Sequence, residues 1–237
     1  MDKNNIYSNR GEFAKVMLKK YISNAPNKVV SDIGAGFGHM KETVENLGAI
    51  WQPFDYVKKI DESIIWDLNN EVPSHVKNAG VVIFLEVLEH LNNPLLGLQN
   101  IAKHIDENGI LILTTPNPQS SKNVLSLFLR GSLYAFQEKH LLENHVFTPW
   151  KHIVEHYLKM CGFEILEYAI VDTDYIYQKP TSIKDWLKQK VERYIEYRNP
   201  LAKGMSYGIV AKKKVIKQNT RFSFTYINYE KNRMYST

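Results

Sequence analysis

The stretch Asp32-Ile33-Gly34-Ala35-Gly36-Phe37-Gly38 decides how this chain is read. Val29, Val30 and Ser31 lead into it as a short buried strand, and His39 to Leu47 follow with the pattern of a helix. Glycines at a strand-to-helix turn let the backbone pass close to a ligand, because no Cβ intervenes. The spacing is G-x-G-x-G. A dinucleotide fingerprint needs G-x-G-x-x-G, and His39 stands at the place of its third glycine. No Lys-Ser or Lys-Thr pair follows the turn to cradle phosphates. Asp32 argues the same way, since its charge would face that of a pyrophosphate. An acid at this place suits a cationic, hydroxylated ligand.

The next segments repeat the alternation. Ala49 to Phe54 reads as a second strand that ends at Asp55, and Ile64 to Asn69 as a third strand and its exit. Val81-Val82-Ile83-Phe84-Leu85 is a continuous apolar run of the kind a parallel strand buried on both faces requires. It leads into Glu86-Val87-Leu88-Glu89-His90-Leu91 and then Asn92-Asn93-Pro94. A helix from Pro94 to Ile105, a turn at Glu107-Asn108-Gly109 and a strand from Ile110 to Thr115 complete the series.

These features, in this order, resemble the class I S-adenosylmethionine (SAM)-dependent methyltransferases, in particular the small-molecule O-methyltransferases of the ubiquinone-biosynthesis type. The glycine turn resembles their first motif, and Glu86 to Leu91 resembles the acid-x-Leu-Glu-His-Leu segment after their fourth strand. The resemblance implies an α/β, Rossmann-like fold. Its seven-stranded sheet is mostly parallel with an antiparallel last strand, and helices cover both faces. It implies SAM as cofactor, with Asp32, Gly34, Ala35, Gly36 and Gly38 around the methionine portion. Asp55 would hold the ribose and Asp67 and Leu68 the adenine through a carboxylate and a backbone N–H, and Tyr56, Leu85 and Glu86 would also belong to the cofactor site.

At 237 residues the chain can bury one sizeable core, and 44% apolar with 23% charged residues is ordinary for a soluble globular protein. One domain is expected: a core over 12–116 and 148–214, a cap insertion over 117–147, a helical insertion over 175–203 and a polar tail over 215–237. The single cysteine, Cys161, excludes an internal disulfide and fits a reducing, cytoplasmic setting. No apolar run approaches the ~20 residues of a membrane span, so no membrane partner is expected. The net charge of +5 gathers toward the end of the chain, in Lys212 to Lys214 and beyond, without a stacking aromatic platform. Nucleic acid is therefore not the expected partner; methylation of a hydroxyl on a small-molecule acceptor is expected, with N-methylation of a small amine, an RNA or protein acceptor, and a non-catalytic SAM-binding subunit as the alternatives.

Two stretches lie outside the nucleotide-binding pattern. Asn117 to His145 carries Leu125, Leu127, Phe128, Leu129, Leu133, Tyr134 and Phe136, for most of which core packing is expected, followed by Lys139, His140 and Glu143. Thr148-Pro149 reads as the N-cap and first residue of the next helix, which places Trp150, Ile153, Val154, Tyr157 and Leu158 on one face. In the second stretch Ile183, Trp186, Leu187, Val191, Tyr194 and Ile195 recur at helical spacing. That face leans either on the cap or on a second subunit in a homodimer.

The sulfonium of SAM makes its methyl group electrophilic, so the protein must align a nucleophile and exclude water. For a hydroxyl nucleophile, a histidine base suits the task. His145 ranks first, because His145-Val146-Phe147-Thr148-Pro149 resembles a His-x-Phe-Thr-Pro segment of these enzymes that faces the acceptor. His90 ranks second and His140 third. No His/Cys/Asp spacing resembles a metal site, and no nucleophile elbow points to covalent catalysis.

Overall fold

Continuous apolar runs fold into the middle of a sheet because only there are both of their faces covered. In a computed structural model, which describes residues 5–174 and 179–215, β1 (Val29–Ile33), β4 (Ala79–Leu85) and β5 (Ile105–Pro116) take those places. β2 (Ile50–Asp55) and β3 (Ile64–Ile65) extend the sheet on one side, and β7 (Ser206–Lys213) and β6 (Phe163–Val171) on the other. The order is β3-β2-β1-β4-β5-β7-β6. Strands β1 to β5 pair in parallel, and β7 runs antiparallel to both neighbours, as the resemblance implies. The order reverses between β1 and β4, which opens a crevice at the carboxyl ends of those strands.

Helices α1 (Arg10–Tyr21) and α2 (Lys41–Asn46) cover one face, burying Phe13, Leu18 and Val44 against Val81, Ile83 and Ile112. Helices α3 (Pro94–His104) and α5 (Lys151–Met160) cover the other, with Leu98, Ile101, Val154 and Leu158 against Phe54, Phe84 and Tyr207. Each such side chain contributes about 1.5–3 kcal/mol on burial. Together the two layers hold the strand ends rigidly in place.

Some expected boundaries differ. The third strand keeps only Ile64 and Ile65, because Asp67 Oδ1 accepts from Asn69 N at 2.9 Å and turns the chain away. Glu107-Asn108-Gly109 does not end an element. It is a bulge inside β5, with Asn108 at φ 66° and a register shift opposite Ala79 and Val81. Thr148 is not the N-cap of α5. Trp150 is, with no side-chain cap: its carbonyl accepts the first helical bond, from Ile153 N at 2.9 Å, while the Pro149 carbonyl accepts from the Tyr207 hydroxyl at 2.8 Å instead.

The two insertions depart furthest from expectation. In the cap, α4 (Ser121–Arg130) buries Leu125 but leaves Leu127, Phe128 and Leu129 exposed, so most of its apolar residues are not core. Helix α6 (Ile183–Arg198) packs on α4 through Glu192 and Glu196, and the Ser121 hydroxyl donates to Glu196 at 2.7 Å. Ile183, Trp186, Leu187, Val191 and Tyr194 face outward. The apolar face therefore does not lean on the cap. Residues 175–178 of the helical insertion and 216–237 of the tail lie outside the described residues.

Candidate active site

The carboxyl ends of β1, β2 and β4 open on a cleft of about 710 Å³. Gly34, Asp55, Tyr56, Asp67, Leu68, Leu85 and Glu86 line it, so the fold gathers these expected cofactor residues on one cavity. Gly34 has φ 79°, and a Cβ there would stand 2.4 Å from Val87 Cγ2; only glycine fits. Gly34 N and Ala35 N both donate to the Phe54 carbonyl, at 2.9 and 3.0 Å, which pins the turn to the end of β2. Gly36 N donates to Asp55 Oδ2 at 3.0 Å and Tyr56 N to Asp55 Oδ1 at 2.8 Å, while Lys59 Nζ lies 3.3 Å from Oδ2. Asp55 thus shapes the glycine turn and faces the cleft at once.

Asp67 lines the cleft while it ties its own loop, and Asn100 Nδ2 holds the Leu68 carbonyl at 2.9 Å. Asp32, Ala35, Gly36 and Gly38 do not line the cleft; Asp32 and Ala35 are buried and Gly36 and Gly38 half-buried. Asp32 is buried and accepts from Trp51 Nε1 at 3.1 Å; burial pushes its carboxyl up to about 6. Glu86 adopts φ 53°, a conformation that costs a non-glycine residue about 1–3 kcal/mol and clusters at functional sites. Its Oε2 meets Arg10 Nη1 and the Ser206 hydroxyl, each at 3.2 Å, and Arg10 Nη2 continues to Asp172 Oδ2 at 2.8 Å. Burial outweighs the arginine and holds the Glu86 carboxyl up at about 7. Sequence reading missed Arg10, Asp172 and Ser206 because they come from segments far apart in the chain.

The histidines converge on the same side. Val146 N and Phe147 N both donate to the Glu89 carbonyl, at 3.0 and 3.1 Å, and Asn144 Nδ2 donates to the His90 carbonyl at 2.8 Å. These bonds lay the end of the cap against the exit of β4. The His145 ring sits edge-on to His90 with centroids 4.7 Å apart, and His140 stacks on His145 at 5.7 Å. His90 lines the cleft, whereas His145 and His140 do not.

Their partners set their tautomers. His90 Nδ1 meets the Glu143 carbonyl at 2.7 Å and His145 Nδ1 the Ala135 carbonyl at 3.1 Å, so each Nδ1 carries the proton and each Nε2 keeps a lone pair. His140 is the reverse: its Nδ1 accepts from Gln137 N at 3.1 Å, so its neutral ring presents Nε2–H. Burial lowers the pKa of His90 and keeps it neutral. Glu89, which the sequence reading quoted without a role, lies buried beneath both rings, with Thr115 Oγ1 donating to its Oε2 at 3.0 Å. One ligand atom each of Glu89, His90 and His145 all lie within 4.8 Å of one another, although 55 residues separate His90 from His145 in the chain.

Comparison with known proteins agrees with this geometry. Residues 8–169 match a family described as a methyltransferase domain. No curated protein matches the chain by sequence. Among solved structures, a SAM-dependent methyltransferase from Archaeoglobus fulgidus is 18% identical, with 86% of this chain and 94% of that one covered at a TM-score of 0.53. The magnesium protoporphyrin IX methyltransferase from Synechocystis PCC 6803, with bound S-adenosylhomocysteine (SAH), is 15% identical over 86% and 82% of the two chains, TM-score 0.56. The plantazolicin methyltransferase in complex with SAH is 15% identical over 86% and 83%, TM-score 0.54. These likenesses are of fold. With the family match across most of the chain and a cleft built on the glycine turn, Asp55 and Asp67, they identify the protein as a member of the class I SAM-dependent methyltransferases, with SAM as its cofactor.

Proposed function

We propose that the protein transfers the methyl group of SAM to a hydroxyl of a small-molecule acceptor. One observation carries this reading: two imidazoles are held with Nε2 lone pairs at the acceptor side of the cofactor cleft, and His90 lies on its wall. In this reading Asp55 holds the ribose hydroxyls, Asp67 and the Leu68 N–H face the adenine, and Leu85 and Glu86 border the sulfonium. Asp32, Ala35, Gly36 and Gly38 shape that site. SAM supplies the electrophilic methyl group; the chain's own task is to align the acceptor oxygen, exclude water and take its proton. His90 fits the last role best, because it is neutral and faces the cleft; His145 supports it. His140 offers only an N–H there and serves as a donor. Asn92 and Asn144 beside His90 add amide groups that suit a polyhydroxylated acceptor such as a sugar precursor of a surface polysaccharide.

Among the described residues no helix is long and apolar enough to cross a membrane. The exposed apolar face of α6 leaves a second copy of the chain as the proposed macromolecular partner. A screen of sugar and other hydroxylated acceptors, scored by SAH release, tests the function. His90→Ala is expected to lose about 10²-fold in kcat while SAH affinity stays unchanged. If neither His90→Ala nor His145→Ala slows turnover by tenfold, alignment alone carries the reaction and the assignment falls.

A further inference from the structure

We propose that Glu86 makes the cleft discriminate between SAM and SAH, holding the cationic sulfonium by its charge and letting go of the neutral thioether that methyl transfer leaves behind. The inference rests on the proposed place of the sulfonium beside Glu86. Position supports that place. Ile33 pairs with Phe84 across β1 and β4, so Gly34 and Leu85 continue side by side, and Glu86 follows where the strand order reverses. Asp55 ends β2 and Asp67 follows β3, farther out in the same order. A cofactor laid with its ribose at Asp55 and its adenine at Asp67 therefore brings its sulfur to the boundary of β1 and β4, against the cleft-lining Glu86.

The charges around Glu86 do not balance. Helix α1 brings Arg10, whose guanidinium lies 3.2 Å from Glu86 Oε2 and 2.8 Å from Asp172 Oδ2, so one cation serves two carboxylates. Glu89, buried at the exit of β4, is a third acid; burial and then the Glu86 charge hold its carboxyl well above the usual range. β5 and β7 add only neutral groups: the hydroxyls of Thr114 and Ser206, and Tyr207, which burial keeps protonated. His90 on the same cleft wall is held neutral by burial. Glu86 Oε1 is buried without a hydrogen bond among the described residues, and a buried carboxylate oxygen left so is costly. A sulfonium supplies the cation that this group lacks. Burial holds Glu86 up at about 7 while Arg10 pulls it back, so near neutral pH a positive charge beside it draws it to the carboxylate form.

Methyl transfer then changes the charge at this wall. The acceptor oxygen bonds to the methyl carbon, the electron pair of the carbon–sulfur bond stays on sulfur, and in the proposed reaction the hydroxyl proton passes to His90. Sulfur is neutral in SAH, so its attraction to Glu86 ends with the reaction and Glu86 takes a proton back from solvent. The product has lost the contact that held the substrate form, which favours its exchange for fresh SAM.

Calorimetry of SAM and of SAH on full-length protein at pH 6 and pH 8, without acceptor, tests the inference. The ratio of the two affinities cancels the contacts that both ligands share. It is expected to rise about five- to tenfold in favour of SAM from pH 6 to pH 8, the effect of a sulfonium that favours the ionised Glu86 by about ten- to a hundredfold. The sign follows from ionisation: the preference is complete above about pH 7 and fades as pH falls and Glu86 takes its proton. Glu86→Gln, checked for its fold by circular dichroism, should flatten the ratio. Binding heats of wild type in two buffers give a second reading that needs no variant: SAM should release about half a proton more than SAH near pH 7. A wild-type ratio that is flat with pH, equal proton release by the two ligands, or a slope that survives in folded Glu86→Gln overturns the proposal. A flat ratio alongside hydroxyl methylation in the acceptor screen removes the role of Glu86 and leaves the proposed function standing. A sloping ratio in a protein that methylates no hydroxyl does the opposite.

Discussion

On one side of the cleft Gly34 and Asp55 stand at the ends of β1 and β2, whose last residues are buried, and Leu68 is itself buried; on the other, His90 and Asn144 line it, and His140, Glu143 and His145 sit beside them on a segment whose Leu141 and Leu142 are exposed. The cofactor side is held by two packed layers and by backbone hydrogen bonds from the glycine turn to Phe54. The acceptor side is held chiefly by polar ties: two N–H groups on the Glu89 carbonyl, Asn144 on His90, and Asn123 on Ala135. A cofactor common to many enzymes can sit in a rigid site. An acceptor must be admitted, enclosed and released, and hydrogen-bonded loops open at lower cost than a packed core.

The comparison breaks most severely at Gly34. Gly34→Val combines left-handed strain, about 1–2 kcal/mol, with a collision at Val87 that adds about 1–3 kcal/mol. SAH affinity should fall by about 100-fold or more, measured by calorimetry on folded protein. Gly36→Val carries only the strain of φ 56°, since the nearest atom to its added Cβ is the Gly34 carbonyl oxygen at 4.0 Å. It should be the milder of the two. Equal losses would show that the cofactor itself fills the space beside Gly36.

Asp55→Ala comes next. It removes the proposed acceptor for the ribose and the anchor of Gly36 N, and should weaken SAH by about 1.5–3 kcal/mol, the range for hydrogen bonds to a charged group. Unchanged affinity in the folded variant would move the ribose elsewhere in the cleft.

Ionisation sharpens the same contrast. Burial raises the Asp32 carboxyl from its ordinary 3.8 to about 6, so the folded chain holds that proton more tightly than the unfolded one. The associated stability is present below about pH 4 and is lost as pH rises through about 6. Asp32→Asn keeps an oxygen for the Trp51 indole but has no proton to lose. Wild type should therefore lose melting temperature relative to Asp32→Asn between pH 4 and pH 7. A difference that is flat across this window would mean that the carboxylate is solvated in the folded state.

The division also marks what sequence could tell. Strands β1 and β4 and the main part of β5 were legible because burial on both faces demands apolar runs, and the place of Asp55 at the end of the second strand because the resemblance implies an acid there. The cap was not. Its apolar residues carry helical periodicity, and periodicity says that a face exists without saying what covers it. Helix α6 shows this plainly: Ile183, Leu187 and Tyr194 form the regular stripe, yet Glu192 and Glu196 are the residues that turn inward. The meeting of Glu89, His90 and His145 was equally hidden, since it depends on the cap folding back on the exit of β4. Local pattern cannot encode that return.

The smallest expected effect tests whether the exposed apolar residues of α4 and α6 belong to the monomer's fold at all. Phe128 and Ile183 are 86% and 80% exposed, and Leu187 is more than half exposed. Leu88, by contrast, is fully buried beneath the exit of β4. Truncating a buried leucine costs about 2–5 kcal/mol, through lost transfer energy and the cavity left behind. An exposed side chain has neither to lose, and such substitutions stay within about ±0.5 kcal/mol. The double variant Phe128→Ser, Leu187→Ser should therefore unfold in urea at the wild-type midpoint when dilute, while Leu88→Ala shifts it strongly. Raising the protein concentration adds the decisive comparison. If this face binds a second copy, wild type gains stability with concentration by mass action and the double variant does not. A midpoint lowered by several tenths molar urea even at the lowest concentration would show the opposite: the face is covered within the chain, and the outward-facing stripe is part of the core after all.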